Sequence, residues 1–278
     1  MQFGDYECLS LEIGRFKLDG GSMFGIVPKA LWNKKTPADE CNRINMAARS
    51  LLIRGQSRTI LVDAGCGNKM NDKLTSIYGI NTPTPDSVLA PEGLCCGDIT
   101  DVILTHLHFD HAGGSTTIKN GRPVPTFPRA TYHIQKTQWE HACRPGAHDT
   151  GSYITDDFLP LQEHGVINLI DGNSTLFDQI ELITTNGHTP AQQHPLIKGV
   201  ETSLFFCGDL FPTAAHLPAA WHMAYDVRPL EIVNEKNRIA ARAADQNWLL
   251  FFEHDPDIAA APITHANNNF SLGEPLRI

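Results

Sequence analysis

The sequence has no long apolar run and no cluster of basic residues. No hydrophobic stretch approaches the ~20 residues that a membrane-spanning helix needs, so we expect no membrane partner. Lysine and arginine together number 22 against 31 aspartates and glutamates, and the formal net charge is −9. Because proteins that bind phosphate backbones cluster Lys and Arg, this acidic balance argues against a nucleic-acid partner.

Features of a secreted protein are also missing from the sequence. The seven cysteines are an odd number without the spacing of a disulfide framework. Residues 1–7 lack the basic and apolar regions of a signal peptide, and reduced thiols suit a reducing compartment. We therefore expect a cytoplasmic protein. The 278 residues contain no solenoid repeat, low-complexity tract or linker, which favours a single domain over residues 1–278.

Residues 105–114 hold the densest group of ligand-type side chains. A strand-like run over residues 101–105 leads to His106 and His108, which an extended backbone would point to one side. Asp110 and His111 follow and can face the same cavity after a turn. Imidazole and carboxylate are the usual donors to zinc and similar ions, and four of them exceed what one catalytic ion needs. The spacing therefore predicts two ions side by side.

Four further candidates each follow an apolar run that is typical of a buried strand. They are Asp63, His188, Asp209 and His254. Asp209 is suited to bridge two ions, because a carboxylate has two oxygens to share. Asp63 has a purely structural alternative, in which its side chain only caps the turn that follows it.

The pattern His106-x-His108-x-Asp110-His111 resembles the signature of the metallo-β-lactamase-fold hydrolases, and the branch of quorum-quenching N-acyl-homoserine lactonases in particular. The resemblance implies an α/β (α+β) protein, a four-layer αββα sandwich of two mixed sheets with helices on both outer faces. It implies one metal ion held by His106, His108 and His188, a second held by Asp110, His111 and His254, and Asp209 bridging both. It also implies that Asp63 supports a metal-binding histidine by a hydrogen bond.

The resemblance further implies a binuclear hydrolase in which a hydroxide between the two ions attacks the substrate. Asp209 and Asp110 are then the catalytic carboxylates, and Asp110 can pass a proton to the leaving group. Zinc is the default ion for this donor set, although iron, cobalt and manganese also bind to His and Asp ligands.

Several residues outside the motifs are candidates for the substrate pocket. Met23 and Phe24, in a glycine-rich loop, are expected to form an apolar wall together with Phe211 and Trp221. His216 and Tyr225 are candidates for polarising a substrate oxygen. His194 is a candidate for orienting a neighbouring ligand, with a local hydrogen bond as the alternative. The best-known lactonases carry a Tyr three residues after the bridging Asp. This sequence has Pro212 there, and Tyr225 is the candidate replacement.

The expected substrate is a small molecule, a lactone or related ester. Alternatives are an organophosphate or phosphodiester, a thioester of the glyoxalase II type, a di-iron oxidoreductase, or a metal-binding protein without catalysis. A homodimer whose partner shapes the cleft is compatible with the sequence. Pro229 is expected to begin a helix that packs on a sheet through an apolar stripe of Leu230, Val233, Ala240 and Ala244.

Overall fold

The computed structural model describes residues 1–267 and 269–278. Its first sheet has seven strands, and a separate two-stranded ribbon lies between two of them in the chain. In chain order these strands are β1 (Gln2–Phe3), β2 (Tyr6–Asp19), β3 (Arg43–Gly55), β4 (Arg58–Val62), β5 (Asp101–Ile103), the ribbon strands β6 (Thr116–Lys119) and β7 (Arg122–Pro125), β8 (Thr131–Gln135) and β9 (Ile167–Ile170). The sheet is antiparallel from β1 to β4 and parallel from β4 to β9.

The second sheet also has seven strands, which follow one another in chain order. They are β10 (Ser174–Phe177), β11 (Ile180–Thr185), β12 (Gln192–Ile197), β13 (Ser203–Phe206), β14 (Trp248–Phe251), β15 (Ala260–Ala266) and β16 (Asn269–Leu272). All neighbours are antiparallel except β13 and β14, which are parallel. In both sheets, therefore, one inner strand (β4 or β13) pairs antiparallel with the strand before it and parallel with the next strand of its sheet.

In the part of the chain that the structure describes, eight helices connect the strands. They are α1 (Gly20–Phe24), α2 (Lys29–Trp32), α3 (Asp72–Tyr78), α4 (Pro85–Leu89), α5 (Phe109–Ala112), α6 (Lys136–Cys143), α7 (Thr155–Glu163) and α8 (Pro229–Asp245). Short 3-10 turns occupy Ala90–Glu92, Cys96–Asp98, Gly113–Ser115, Thr150–Ser152, Gly208–Leu210 and Ala214–His216. Within the described residues no helix is both long and apolar enough to span a bilayer.

Alternating side chains of the strands build three apolar layers. Ile60, Val62, Leu204 and Phe206 face the layer between the two sheets. The intervening side chains face outwards, where one sheet packs on α4, α6 and α7 and the other on α8. The period of two residues in a strand thus buries both faces of each sheet. The predicted four-layer αββα sandwich is confirmed.

Helix α8 begins at Pro229 as predicted, but its buried face overlaps the predicted stripe only in part. Leu230 is 83% exposed. The buried face contains Ile232, Ile239, Ala240 and Ala243. Of the predicted stripe, Ala240 is buried and Ala244 packs against the core, whereas the prediction for Leu230 was wrong because the helix is rotated so that this residue faces solvent.

Candidate metal centre

The His-rich motif lies in a turn and a short helix rather than on a strand. Strand β5 ends at Ile103, so His106 and His108 lie in irregular backbone, and α5 carries Asp110 and His111. The ring centroid of His106 lies 4.4 Å from that of His108 and 3.9 Å from that of His111. The predicted alternation along an extended strand is therefore not what brings these rings together. The turn after β5 does this.

The second sheet supplies the remaining candidate ligands. His188 follows β11, Asp209 lies in the turn after β13, and His254 follows β14. The donor atoms form two groups, each with all atoms within 4.8 Å of one another: His106, His108, His188 and Asp209, and Asp110, His111 and His254. Each group combines residues from both halves of the chain, so the site lies where strand ends of the two sheets meet.

Asp209 lies between the two groups. Its Oδ2 is 3.0 Å from Nε2 of His188 in the first group, and its Oδ1 is 3.3 Å from Nε2 of His254 in the second. Oδ2 also lies 3.5 Å from Nε2 of His111. One carboxylate can therefore contact donors of both groups at once.

The spacing of the donor atoms fits divalent metal ions. Two nitrogens bound to one tetrahedral zinc are roughly 3.3 Å apart, as follows from the bond lengths of such sites. Nδ1 of His108 lies 3.1 Å from Nε2 of His188, and Nε2 of His111 lies 3.1 Å from Nε2 of His254. Nε2 of His106 and Oδ1 of Asp209 are buried and make no hydrogen bond among the described residues. Coordination would satisfy these atoms.

The electrostatics of the pocket also favour a cation. Burial and the neighbouring imidazoles lower the pKa of His106 and of His108 well below its usual range, so these rings are neutral and can act as donors. Burial opposes the charged form of His188 too, but the carboxylates of Asp209 and Asp226 raise the pKa of His188 to about 9. The carboxylates thus make a field that stabilises positive charge at this point.

Asp63 contacts the candidate ligand His111. It accepts hydrogen bonds from the Thr105 amide (2.6 Å), the Thr105 hydroxyl (2.6 Å) and Nδ1 of His111 (3.0 Å). Its backbone lies in the left-handed region (φ 58°), which Asp tolerates better than most residues do. The carboxylate is placed to orient the His111 ring.

Three further contacts to the histidines were not predicted. Nδ1 of His188 donates to Asp226 (2.9 Å), and Nδ1 of His254 donates to the carbonyl of Ala47 (2.9 Å). Oε2 of Glu253 also lies 3.0 Å from Nδ1 of His111. Glu253 directly precedes the predicted ligand His254, and this position is a sequence signal for a supporting carboxylate. No local pattern points to Asp226 or Ala47.

A cavity of about 230 Å³ opens above the two groups. Asp110, His188, Asp209 and His254 line its floor, and Met23 and Tyr225 line it as predicted. The other lining residues are the candidate ligand His108 and Leu18, Tyr78, Phe109, His148, Gly151, Ser152 and Met223. The cavity therefore joins the metal-ligand candidates to a mainly apolar wall with a few polar groups.

The other predicted pocket residues lie outside this cavity. Phe24 is fully buried and stacks between Trp32 and His216, with centroid distances of 5.3 and 4.6 Å. Phe211 is buried in the core beneath α8, and Trp221 lines a separate cleft. The prediction that Phe24, Phe211 and Trp221 form the cavity wall was wrong, because Phe24 and Phe211 pack in the core and Trp221 faces a different cleft.

His216 and His194 are held by protein groups away from the cavity. His216 is hydrogen-bonded to the hydroxyl of Thr213 (2.7 Å) and donates to the carbonyl of Met23 (2.8 Å). His194 contacts the hydroxyl of Thr185 (2.8 Å) and the carbonyl of Phe206 (3.3 Å). Burial lowers the pKa of His216 to about 3 and that of His194 to about 4. Both rings are therefore neutral and held by protein groups, so the predicted role of His216 in polarising substrate was wrong, and His194 makes the local hydrogen bonds that were its alternative.

Residues 46–254 match the sequence pattern described as the Metallo-beta-lactamase superfamily. The chain belongs to this superfamily. An N-acyl homoserine lactonase of Bacillus cereus is 26% identical over 174 residues, which cover 59% of this chain and 63% of the relative. The match thus spans less than two thirds of that relative.

Solved structures of the superfamily share nearly the whole fold. A probable metal-dependent hydrolase from Staphylococcus aureus is 29% identical and superposes with a TM-score of 0.89, covering 99% of this chain and 100% of that one. AidC, a dizinc quorum-quenching lactonase, is 20% identical with a TM-score of 0.82, covering 100% of this chain and 97% of that one. At this identity AidC supports the metallo-β-lactamase fold alone.

Proposed function

We propose that this member of the metallo-beta-lactamase superfamily is a metal-dependent hydrolase that opens lactones, with N-acyl homoserine lactones as the preferred class. The observation that carries the proposal is the pair of His/Asp donor groups at the floor of a cavity with a mainly apolar wall. The similarity to N-acyl homoserine lactonases and to the probable metal-dependent hydrolase from Staphylococcus aureus supports it.

The donor set supports two divalent metal ions. His106, His108 and His188 would hold one, Asp110, His111 and His254 would hold the other, and Asp209 would contact both. Zinc is the first ion to test, and iron, cobalt and manganese also suit these donors. When bound, such ions supply Lewis acidity towards a substrate carbonyl oxygen and towards water.

Tyr225 is placed to donate a hydrogen bond to the substrate. It lines the cavity together with the candidate ligands Asp110 and Asp209. Burial raises the pKa of Tyr225 to about 12, so the phenol keeps its proton at neutral pH. In the proposed reaction this proton would be shared with the carbonyl oxygen as negative charge develops there, which Pro212 cannot do.

Asp110 and the apolar residues have complementary tasks. Asp110 lines the cavity floor, where its carboxylate can carry a proton to the alkoxide that leaves when the ring opens. Leu18, Met23, Phe109 and Met223 would exclude bulk water and contact an acyl chain. An open, charged cleft would serve an amphipathic lactone less well.

The test is hydrolysis of acyl-homoserine lactones of increasing chain length by the zinc-loaded protein at neutral pH, followed as acid release. Turnover is expected to improve with chain length until the cavity is filled. If metal-loaded protein turns over no lactone of the series, the lactone assignment is wrong. Thioesters and phosphate esters would then separate the alternative hydrolases.

A further inference from the structure

Asp226 connects a candidate metal ligand with the substrate cavity. It is only 5% exposed, and each carboxylate oxygen accepts one hydrogen bond. Nδ1 of His188 donates to Oδ1 (2.9 Å), and the amide of Met223 donates to Oδ2 (2.8 Å). One side chain therefore holds both the imidazole and the loop that carries Met223 and Tyr225.

The backbone strengthens this connection. The amide of Val227 donates to the carbonyl of His188 (3.2 Å), and the amide of Arg228 donates to the carbonyl of Gly187 (2.9 Å). At Gly187 the chain passes so close to the backbone of Ile232 that a side chain would clash. The segment 222–228 is thus fastened to the loop of His188 at three successive points.

The same segment forms part of the cavity wall. Met223 and Tyr225 both line the cavity, and the amide of Ala224 donates to the carbonyl of Ser22 in α1 (2.8 Å). Met23 of α1 lines the cavity as well. A shift of Asp226 would therefore reach both the His188 imidazole and the residues that contact substrate.

We propose that Asp226 is a positioning residue that couples metal binding at His188 to the shape of the substrate cavity, an inference that rests on the proposed metal centre. A carboxylate that accepts a hydrogen bond from Nδ1 fixes the tautomer in which Nε2 carries the free lone pair and can bind metal. It also raises the basicity of the ring. Coupling of this kind is reciprocal, so an ion on His188 also stabilises the segment 222–228.

The geometry requires a carboxylate at this position. Both oxygens of Asp226 accept from N–H groups, one on His188 and one on Met223. An amide has only one acceptor oxygen, so Asp226→Asn must turn its NH₂ group towards one of these two donors. The variant therefore loses either the orientation of His188 or the anchoring of the segment.

The first experiment measures zinc affinity by competition with a chromogenic chelator. Asp226→Asn is expected to weaken zinc binding about 10- to 100-fold, as is typical when a carboxylate that supports a metal-binding His is removed. Asp101→Asn is the matched control. Asp101 is 2% exposed and accepts a hydrogen bond from His133 (2.8 Å), but His133 belongs to neither donor group. This control should keep the affinity of the wild type.

The second experiment follows hydrogen exchange of the Met223, Val227 and Arg228 amides in the wild-type protein with and without zinc. Zinc should slow their exchange at least about tenfold, and Asp226→Asn should lose most of this difference. The variant should also raise KM for the substrate, because Met223 and Tyr225 are less well placed. A merely structural role would leave the response to zinc unchanged.

Two results would overturn the inference. One is wild-type zinc affinity in Asp226→Asn, and the other is equal exchange of the three wild-type amides with and without zinc. If the variant does not fold, the wild-type exchange measurement still decides. Neither readout needs lactone turnover, so a protein that binds zinc without opening lactones would refute only the proposed function.

Discussion

Each side chain of the candidate metal centre would be costly to bury on its own. His106, His111 and His188 are each at most 1% exposed, and Asp209 is 6% exposed. Buried charges and polar groups persist in proteins when they are paired or bind metal. At the scale of single residues, the atoms without a protein partner therefore indicate where an ion would bind, and the hydrogen-bonded nitrogens indicate how each ring is oriented.

Replacement of Asp209 by Ala should remove metal from both donor groups, because this carboxylate contacts His188 and His254 through different oxygens. We expect metal affinity to fall by more than about 100-fold, beyond the range typical of a residue that only supports a ligand. Metal content after dialysis is the measurement. His194→Gln is the control, since His194 is buried but bonded to protein groups alone. Full metal content in Asp209→Ala would refute the bridging role.

Removal of the Tyr225 hydroxyl should slow the reaction and leave the metal in place. Loss of one hydrogen-bond donor to a developing oxyanion typically lowers kcat about 10²- to 10³-fold. The loss in kcat of Tyr225→Phe should lie in or near that range. Tyr78→Phe is the matched control, because Tyr78 also lines the cavity. Steady-state kinetics on both variants decide the point. Equal kcat values would show that the Tyr225 hydroxyl does not act on the substrate.

At the scale of elements, a buried ammonium group fixes the loop that follows the His-rich motif. Lys69 donates to the carbonyls of Gly113 and Thr116, and its Nζ lies 3.1 Å from Asp157 of α7. Gly113 packs so closely on the carbonyl of Cys66 that a Cβ atom would overlap it. The loop after β4, the motif and α7 therefore hold one another in place.

Lys69→Met should destabilise the fold by about 3–5 kcal/mol, the usual cost of leaving one partner of a buried ion pair unpaired. Burial already raises the pKa of Asp157 to about 6. The double variant Lys69→Met/Asp157→Leu should recover much of the lost stability, since it leaves no unpaired charge. Urea unfolding of the single and double variants measures this. Equal stability of Lys69→Met and wild type would exclude the anchoring role.

At the scale of the whole molecule, the donor groups join the two sheets. His106 to His111 follow β5 of the first sheet, whereas His188, Asp209 and His254 follow strands of the second. An ion bound by both sets would link the sheets at one end of the central apolar layer.

Chelation should therefore lower the global stability, and zinc should restore it. A ligand that binds only the folded state stabilises it by about 3 kcal/mol at roughly 100 times its Kd. The midpoint of urea unfolding should rise with zinc at an unchanged denaturant slope. His265 lies on β15 away from both donor groups, so His265→Gln should respond to zinc as the wild type does. Identical midpoints with chelator and with zinc would contradict the link between the sheets.

Much of the centre could be predicted from local sequence. The motif from His106 to His111 places four donors within six residues, and no folding is needed to see that they are neighbours. Asp63, His188, Asp209 and His254 each follow an apolar run, and the family resemblance then implied the role of each. The four-layer fold followed from the family resemblance of this pattern.

The remainder depended on tertiary structure. Whether Phe24 or Met23 faces the cavity depends on how α1 packs against Trp32 and His216, which no periodicity encodes. Asp226 lies 38 residues from His188, and only the docking of the segment 222–228 brings them together. The sequence alone determined which side chains are candidate metal ligands, because that is a property of residue type and strand position. The packing of two sheets and their loops decided which side chains orient the ligands and line the cavity, because those contacts join distant parts of the chain.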